Sequence, residues 1–264
     1  PLFIFGFHMG IRGAAIATVL AQVVSLVWVT AMLSDKNYVL HFSREVFRFD
    51  LKIAQRSLSI GMAPFLMNVA SCFVVILINR QLQFHGGDMA IGAYGIVNRL
   101  AFLFLMLNMG FTQGMQPIAG YNYGARQYDR VRQVLKLTVI CATVTTMVGF
   151  LAGELLPGAM VSLFTRDETL RAMSAHALRI VVAAFPVVGF QIVISNFFQC
   201  IGRVKISIFL SLSRQLLFLL PLLLLFPLVW GLNGVWAALP ASDAISAMVA
   251  AVMLWKFMRR ERSS

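Results

Sequence analysis

Thr112-Gln-Gly-Met-Gln-Pro-Ile-Ala-Gly-Tyr-Asn-Tyr-Gly-Ala-Arg-Gln-Tyr-Asp-Arg-Val131 follows a long apolar run and leads into a basic one. Pro117 removes a backbone donor and biases Gln116 away from helical geometry. Gly120 and Gly124 permit a tight change of direction. Arg126, Arg130, Arg132 and Lys136 then fall within eleven residues. An apolar helix closed by Gly, Pro and Asn and followed by a basic cluster has the pattern of the cytoplasmic end of a transmembrane helix. Pro117, Gly120, Tyr121, Asn122 and Gly124 are therefore expected to form a helix end at a cytoplasmic mouth.

Composition supports a membrane setting. Of 264 residues, 59% are hydrophobic and only 12% charged, too little charge to cover a soluble protein of this size. Mean hydropathy is +0.82. The net charge of +12 would suit nucleic acid in a soluble protein. Here most Lys and Arg lie between apolar runs, which points to membrane topology and away from nucleic-acid binding. Cys72, Cys141 and Cys200 sit singly in apolar runs, a pattern of buried free thiols rather than a disulfide framework or zinc site.

A span needs about 20 apolar residues. Seven are expected, at 11–33, 57–80, 89–116, 135–156, 180–200, 206–230 and 235–257. Turns are expected at His85–Asp88, Gly202–Lys205 and Gly231–Gly234, and a capping box at Thr165–Glu168 should open the helix leading into the fifth span. Over 34–56, Arg44, Arg48 and Lys52 recur every fourth residue opposite Phe42, Val46, Phe49 and Ile53. That segment reads as a basic amphipathic helix on a membrane surface, the alternative being a solvated linker. Placing the basic C-terminal end, Lys256–Arg262 with the tail 259–264, in the cytoplasm puts fifteen of the twenty-two Lys/Arg in cytoplasmic segments, so one orientation satisfies every loop. The first span then enters from outside. Gly10–Ala17 aligns weakly with Gly231–Ala238 at an offset of 221, which suggests a parallel repeat. The chain starts at Pro1 without a signal-peptide pattern, and a longer reading frame is expected.

Four blocks make the sequence similar to the multidrug and toxic compound extrusion (MATE) family of cation-coupled exporters: Gln116–Ala125 with Arg130-Val131, Leu163–Asp167, Asn196–Gly202 and Gly234–Asp243. The resemblance covers essentially the whole chain. It implies an all-α polytopic fold of two six-helix lobes, an amphipathic lobe connector and alternating access around a central cavity. Residues 1–33 would then be the last helix of the N-terminal lobe, 34–56 the connector and 57–258 the C-terminal lobe. Roughly 180–200 further residues carrying five spans would precede Pro1. The resemblance also implies a multi-pass protein of a prokaryotic cytoplasmic (inner) membrane, exporting amphipathic or cationic small molecules, drugs or metabolites, in exchange for H+ or Na+ and without another cofactor.

Motifs for catalysis, P-loop nucleotide binding or paired Cys/His metal binding are absent, so no enzyme is expected. Asp243 is the one acid well inside an expected span and the cation-coupling candidate, its alternative role being a helix-packing hydrogen bond. Relatives that carry coupling acids in the second and fifth spans are not matched there. These spans offer Asn68, Ser71 and Asn79, and Gln191, Ser195, Asn196 and Gln199. That departure moves the main cation site towards the lobe this chain lacks. Asn68, Gln113, Gln116, Asn196 and Gln199 are the substrate-cavity candidates, because an amide both donates and accepts. Phe65, Met67, Met106 and Met115 are candidates for soft apolar walls, with ordinary helix packing the alternative for each. Arg99 and Arg214 are read as snorkelling or structural. Two other functions remain open: a lipid-linked or polysaccharide flippase, which would need cations in its cavity, and a non-transporting receptor or assembly subunit.

Overall fold

The computed structural model describes residues 3, 6, 9–34 and 50–262, all of whose regular elements are helical. The chain divides into two compact units, Pro1–Ile60 and Gly61–Ser264. The amphipathic connector expected over 34–56 lies mostly outside the described residues, as do the last two residues of the tail.

In the first unit, α1 (Gly10–Ser34) is apolar all round, with Gly13 its one buried residue. Its 25 residues exceed the roughly 20 needed to cross a bilayer. Exposed Val23, Val24, Leu26, Val27 and Trp28 suit hydrocarbon rather than water.

The second unit is built from helices folded back on themselves. The helical run α2 (Leu51–Gly124), of which 61–124 belongs to this unit, has 74 residues, more than twice what a span requires at about 1.5 Å per residue. It breaks at Gly87, where φ is 66° and ψ −163°, inside the expected His85–Asp88 turn. Val74, Ile78 and Leu82 before the break share one core with Ala90, Val97 and Leu100 after it, so the two arms pack as a hairpin. The run α8 (Leu220–Arg262) breaks likewise at Gly231, φ 55°, at the start of the expected Gly231–Gly234 turn. Leu219 and Leu223 meet Val235, Trp236 and Ala238 in the same core. Between these lie α3 (Tyr128–Leu155), α4 (Pro157–Ser162), α5 (Glu168–Val182), α6 (Phe185–Cys200) and α7 (Val204–Leu212). Four described helical runs are long and apolar enough to cross a membrane, or five if α5 and α6, bent by 54°, count as one broken span.

The second arm of α2 runs parallel to α6 in constant register. Gln116 bonds Asn196, and a Cβ on Gly120 would stand 3.2 Å from the Cys200 carbonyl oxygen. Phe104 meets Phe185 edge-on at the other end. Helix α3 runs antiparallel to both. Phe104 lies against Gly149, Val182 against Gly153, and Gly189 against Ala142 and Thr146. These glycines let helices approach closely where lipid offers no hydrophobic driving force between them.

Three local expectations need correction. The helix does not stop at Pro117 but continues to Gly124. A proline costs one i→i−4 bond, and buried Met115, Ala119 and Asn122 anchor the continuing turns. The reversal falls at Ala125–Gln127, and Arg126, not a glycine, takes the left-handed conformation at φ 58°. The N-cap of α5 is Asp167, whose Oδ1 accepts from the Leu170 amide at 2.8 Å. Thr165 Oγ1 instead accepts from the Asp167 amide at 3.2 Å, so the N-cap lies two residues beyond the expected one, and with Leu170 at the third helical position it is a single cap rather than a reciprocal box. Finally, the sixth expected span is not uniformly α-helical. A π-helical turn, Ser213–Leu219, joins α7 to α8. Pro221 follows it, and a proline ring clashes with the carbonyl four residues back; a widened turn relieves that clash.

Candidate functional site

The π turn positions the polar groups at the centre of the second unit. Arg214 Nε donates to Asp243 Oδ1 at 2.7 Å, and Arg214 Nη1 to Gln191 Oε1 at 3.4 Å. The neighbouring Gln215 faces another helix, accepting from Ser71 Oγ at 3.0 Å. Two consecutive residues thus link α6 and the second arm of α8 on one side and the first arm of α2 on the other. Below them Ser195 and Ser211 share a 2.9 Å bond. The α6 face carrying Gln191 and Ser195 is a polar seam against α7 and the π turn. In hydrocarbon such groups must satisfy one another.

Arg214 and Asp243 both came out of the sequence as intramembrane charges, but nothing in their 29-residue separation announced that they pair. The side chains are 30% and 15% exposed, so the ion pair is largely withdrawn from solvent. Arg99 is different: it is exposed, beside Gly92, Ile96, Phe164 and Leu170.

Of the five amide candidates, the structure joins two. Gln116 Nε2 donates to Asn196 Oδ1 at 3.2 Å, and Asn196 Nδ2 to its own helix at the Ile192 carbonyl, 2.9 Å. Gln116 and Asn196 are half-buried, whereas Gln113, Gln199 and Asn68 are exposed. Phe65 and Met106 are also exposed and Met67 is half-buried, but Met115 is 2% exposed within the core. Met115 is thus a packing residue rather than a cavity wall.

The motif after Pro117 sits at one end of the unit. Tyr121 is exposed, and buried Asn122 donates to the Ile118 carbonyl at 2.8 Å. Phe257, which the sequence reading passed over, gathers that end. Its ring contacts Tyr123, Phe197 and Phe198, and the Arg203 guanidinium lies 5.3 Å over it. The α2–α3 turn, the α6–α7 turn and the end of α8 therefore converge, bringing together Arg126, Arg130, Arg132, Arg203, Lys205, Lys256 and Arg259. At the other end Gly86 meets Leu232, and His176 bonds Asn233 at 3.0 Å. The hairpin turns there carry His85 and Asp88 but no Lys or Arg. Among the described residues no His, Cys, Asp and Glu side chains group to hold a metal.

The family model described as MatE matches residues 59–225. The multidrug export protein MepA of Staphylococcus aureus (strain N315) is 25% identical over 262 residues, 99% of this chain and 57% of that protein. The chain thus spans little more than half the length of the curated relatives it matches. Among solved structures, the MATE multidrug transporter DinF-BH in complex with R6G is 36% identical with a TM-score of 0.79, over 97% of this chain and 57% of that one. A MATE in complex with MaL6 superposes with a TM-score of 0.84 at 22% identity, over 100% of this chain and 60% of its own.

Proposed function

Since this chain belongs to the MatE family, we propose that it forms the second lobe, with the helix before it, of a two-lobed secondary active multidrug exporter, a transporter rather than an enzyme. Seven spans follow if each hairpin is counted as two: α1, the arms of α2, α3, α5 with α6, α7 with the first arm of α8, and the second arm of α8. Residues 1–33 then close the first lobe, 34–56 connect the lobes, and 57–258 make the second. The basic end lies in the cytoplasm of a bacterial inner membrane by the positive-inside rule, which puts Pro117, Gly120, Tyr121, Asn122 and Gly124 at the inner mouth.

The observation that carries the reading is the Gln116–Asn196 bridge between parallel helices, with exposed Gln113 and Gln199 one turn away on either partner. Amides at adjacent turns offer donors and acceptors without a fixed charge, which suits varied amphipathic substrates. Asn68 and the exposed Phe65 and Met106 extend that surface. Alternating access exposes it inward and outward in turn around a cavity shared with the first lobe.

Asp243 is the coupling candidate in this lobe. A proton on its carboxylate would end the ion pair with Arg214, and a Na+ would have to compete with the guanidinium. Either event would free the π turn from the second arm of α8. The same pairing occupies one of the two intramembrane cations that a flippase reading would need for phosphate. The test is the full-length protein in proteoliposomes loaded with a cationic dye. Dye movement under an imposed H+ or Na+ gradient is expected, and the dye KM should rise in Gln116→Ala and Asn196→Ala. No movement under either gradient would overturn the exporter reading.

A further inference from the structure

The basic end contains a groove that transport does not account for. It is a cavity of about 610 Å³ between the start of α7 and the last turns of α8. Three cations line it, Arg203, Lys256 and Arg259, and no acidic residue among the described side chains does. Two of the cations are held by aromatic faces: Arg203 over Phe257 at 5.3 Å and Arg259 over Trp255 at 5.4 Å. Stacked on the Phe257 ring, the Arg203 guanidinium directs its in-plane N–H donors past the ring edge, where an oxyanion can accept them. Helix α7 begins beside Arg203 without a side-chain cap, adding the positive end of a helix dipole.

The groove leads into apolar surface. Ile206 and Met253 form its floor. Phe209, one turn beyond Ile206, is exposed, and so are Val252 and Met248, which continue the Lys256 face of α8 at four-residue spacing. Trp255 is 56% exposed at the rim, where an amphipathic ring suits the headgroup level. Three clustered cations repel the cationic compounds an exporter would carry. A free phosphate would leave the apolar tracks unused.

We propose that this groove binds the headgroup of an anionic phospholipid, with acyl chains lying along Ile206–Phe209 and Val252–Met248. The site would fix the end of α8 against the α6–α7 turn when the surrounding leaflet is acidic.

The test is lipid retention, measured without reference to transport. The full-length protein is placed in nanodiscs of equal phosphatidylglycerol and phosphatidylcholine, and bound lipid is read by native mass spectrometry. Arg203→Gln/Lys256→Gln/Arg259→Gln should lower phosphatidylglycerol enrichment roughly tenfold. Arg126→Gln/Arg130→Gln/Arg132→Gln, which removes the same charge from the neighbouring turn, should change it less than about twofold. Millimolar inorganic phosphate should not displace the lipid. Unchanged enrichment in the groove variant, an equal fall in both variants, or displacement by phosphate would each overturn the proposal. If the triple variant fails to fold, Lys256→Gln alone should lower enrichment by roughly threefold, and no fall there also overturns it.

Discussion

Arg214 Nε lies 2.7 Å from Asp243 Oδ1, joining a π-helical turn to the helix beyond the last hairpin, with Gln191 of a third helix on the same guanidinium. The strength of such a pair is clearest when it is broken. Removing one partner strands a charge in a low-dielectric interior, at a cost of about 3 kcal/mol or more. Replacing both by apolar residues of similar volume removes the desolvation penalty along with the attraction. Arg214→Met and Asp243→Leu should therefore each lower thermal stability in detergent, while the double variant recovers most of the loss. Additive losses would show that the two charges are not energetically coupled.

The same substitutions separate structure from coupling. If the double variant is stable and still transports with its cation dependence intact, Asp243 is a packing group and the coupling ion binds elsewhere. Lost gradient dependence with retained dye binding is the outcome expected of a coupling residue. Equilibrium dye binding and gradient-driven uptake on one preparation distinguish the two.

Much of the fold was legible because lipid leaves few options. Apolar length marked the helical runs, and Gly87 and Gly231 broke them within turns already marked by His85-Gly-Gly-Asp88 and Gly231-Leu-Asn-Gly234. Charge placement was legible too: the Arg-rich turns do converge on one end. What stayed hidden depends on partners distant in sequence. Pro117 looks like a terminator only until Met115 and Ala119 are seen to be buried. Gly120 looks like a turn residue until its open side proves to face the Cys200 carbonyl. The pairing of Arg214 with Asp243 needed the π turn, and no local pattern before Pro221 announces one. For the candidate site, residue type identified the amides, but register alone revealed that Gln116 and Asn196 meet.

Glycine substitutions should separate close approach from mere flexibility. A Cβ at Gly189 would sit 2.8 Å from the Ala142 carbonyl oxygen and from Thr146 Oγ1. Both are fixed by the helix, so α3 and α6 must part. Gly189→Ala should cost about 2 kcal/mol. Gly114 has nothing within 4 Å of that position, and Gly114→Ala should be neutral or stabilising by up to ~1 kcal/mol. Thermal unfolding of both variants checks the opposite signs.

The aromatic hub gives a further expectation. Phe257 touches the ends of α2 and α6 through Tyr123, Phe197 and Phe198. Phe257→Ala should destabilise by about 3 kcal/mol, with faster hydrogen exchange at both basic turns. Phe257→Leu should recover the buried area but not the Arg203 stacking, which is worth about 0.5–1 kcal/mol. Exchange confined to the end of α8 would mean that Phe257 does not tie the turns together.

Arg126 offers the simplest gain. It holds φ at 58° in the turn that closes α2, where the Ala125 amide donates to the Tyr121 carbonyl at 3.0 Å and the Gln127 amide to Asn122 at 2.9 Å. An L-residue there pays about 1 kcal/mol in backbone strain that glycine does not. Arg126→Gly should raise stability by about that amount, even though it removes a side chain from the basic end. Gly124 does not share the left-handed conformation, so Gly124→Ala should not be strained. A melting temperature that falls in Arg126→Gly would show that the Arg126 side chain stabilises the turn by more than its backbone costs.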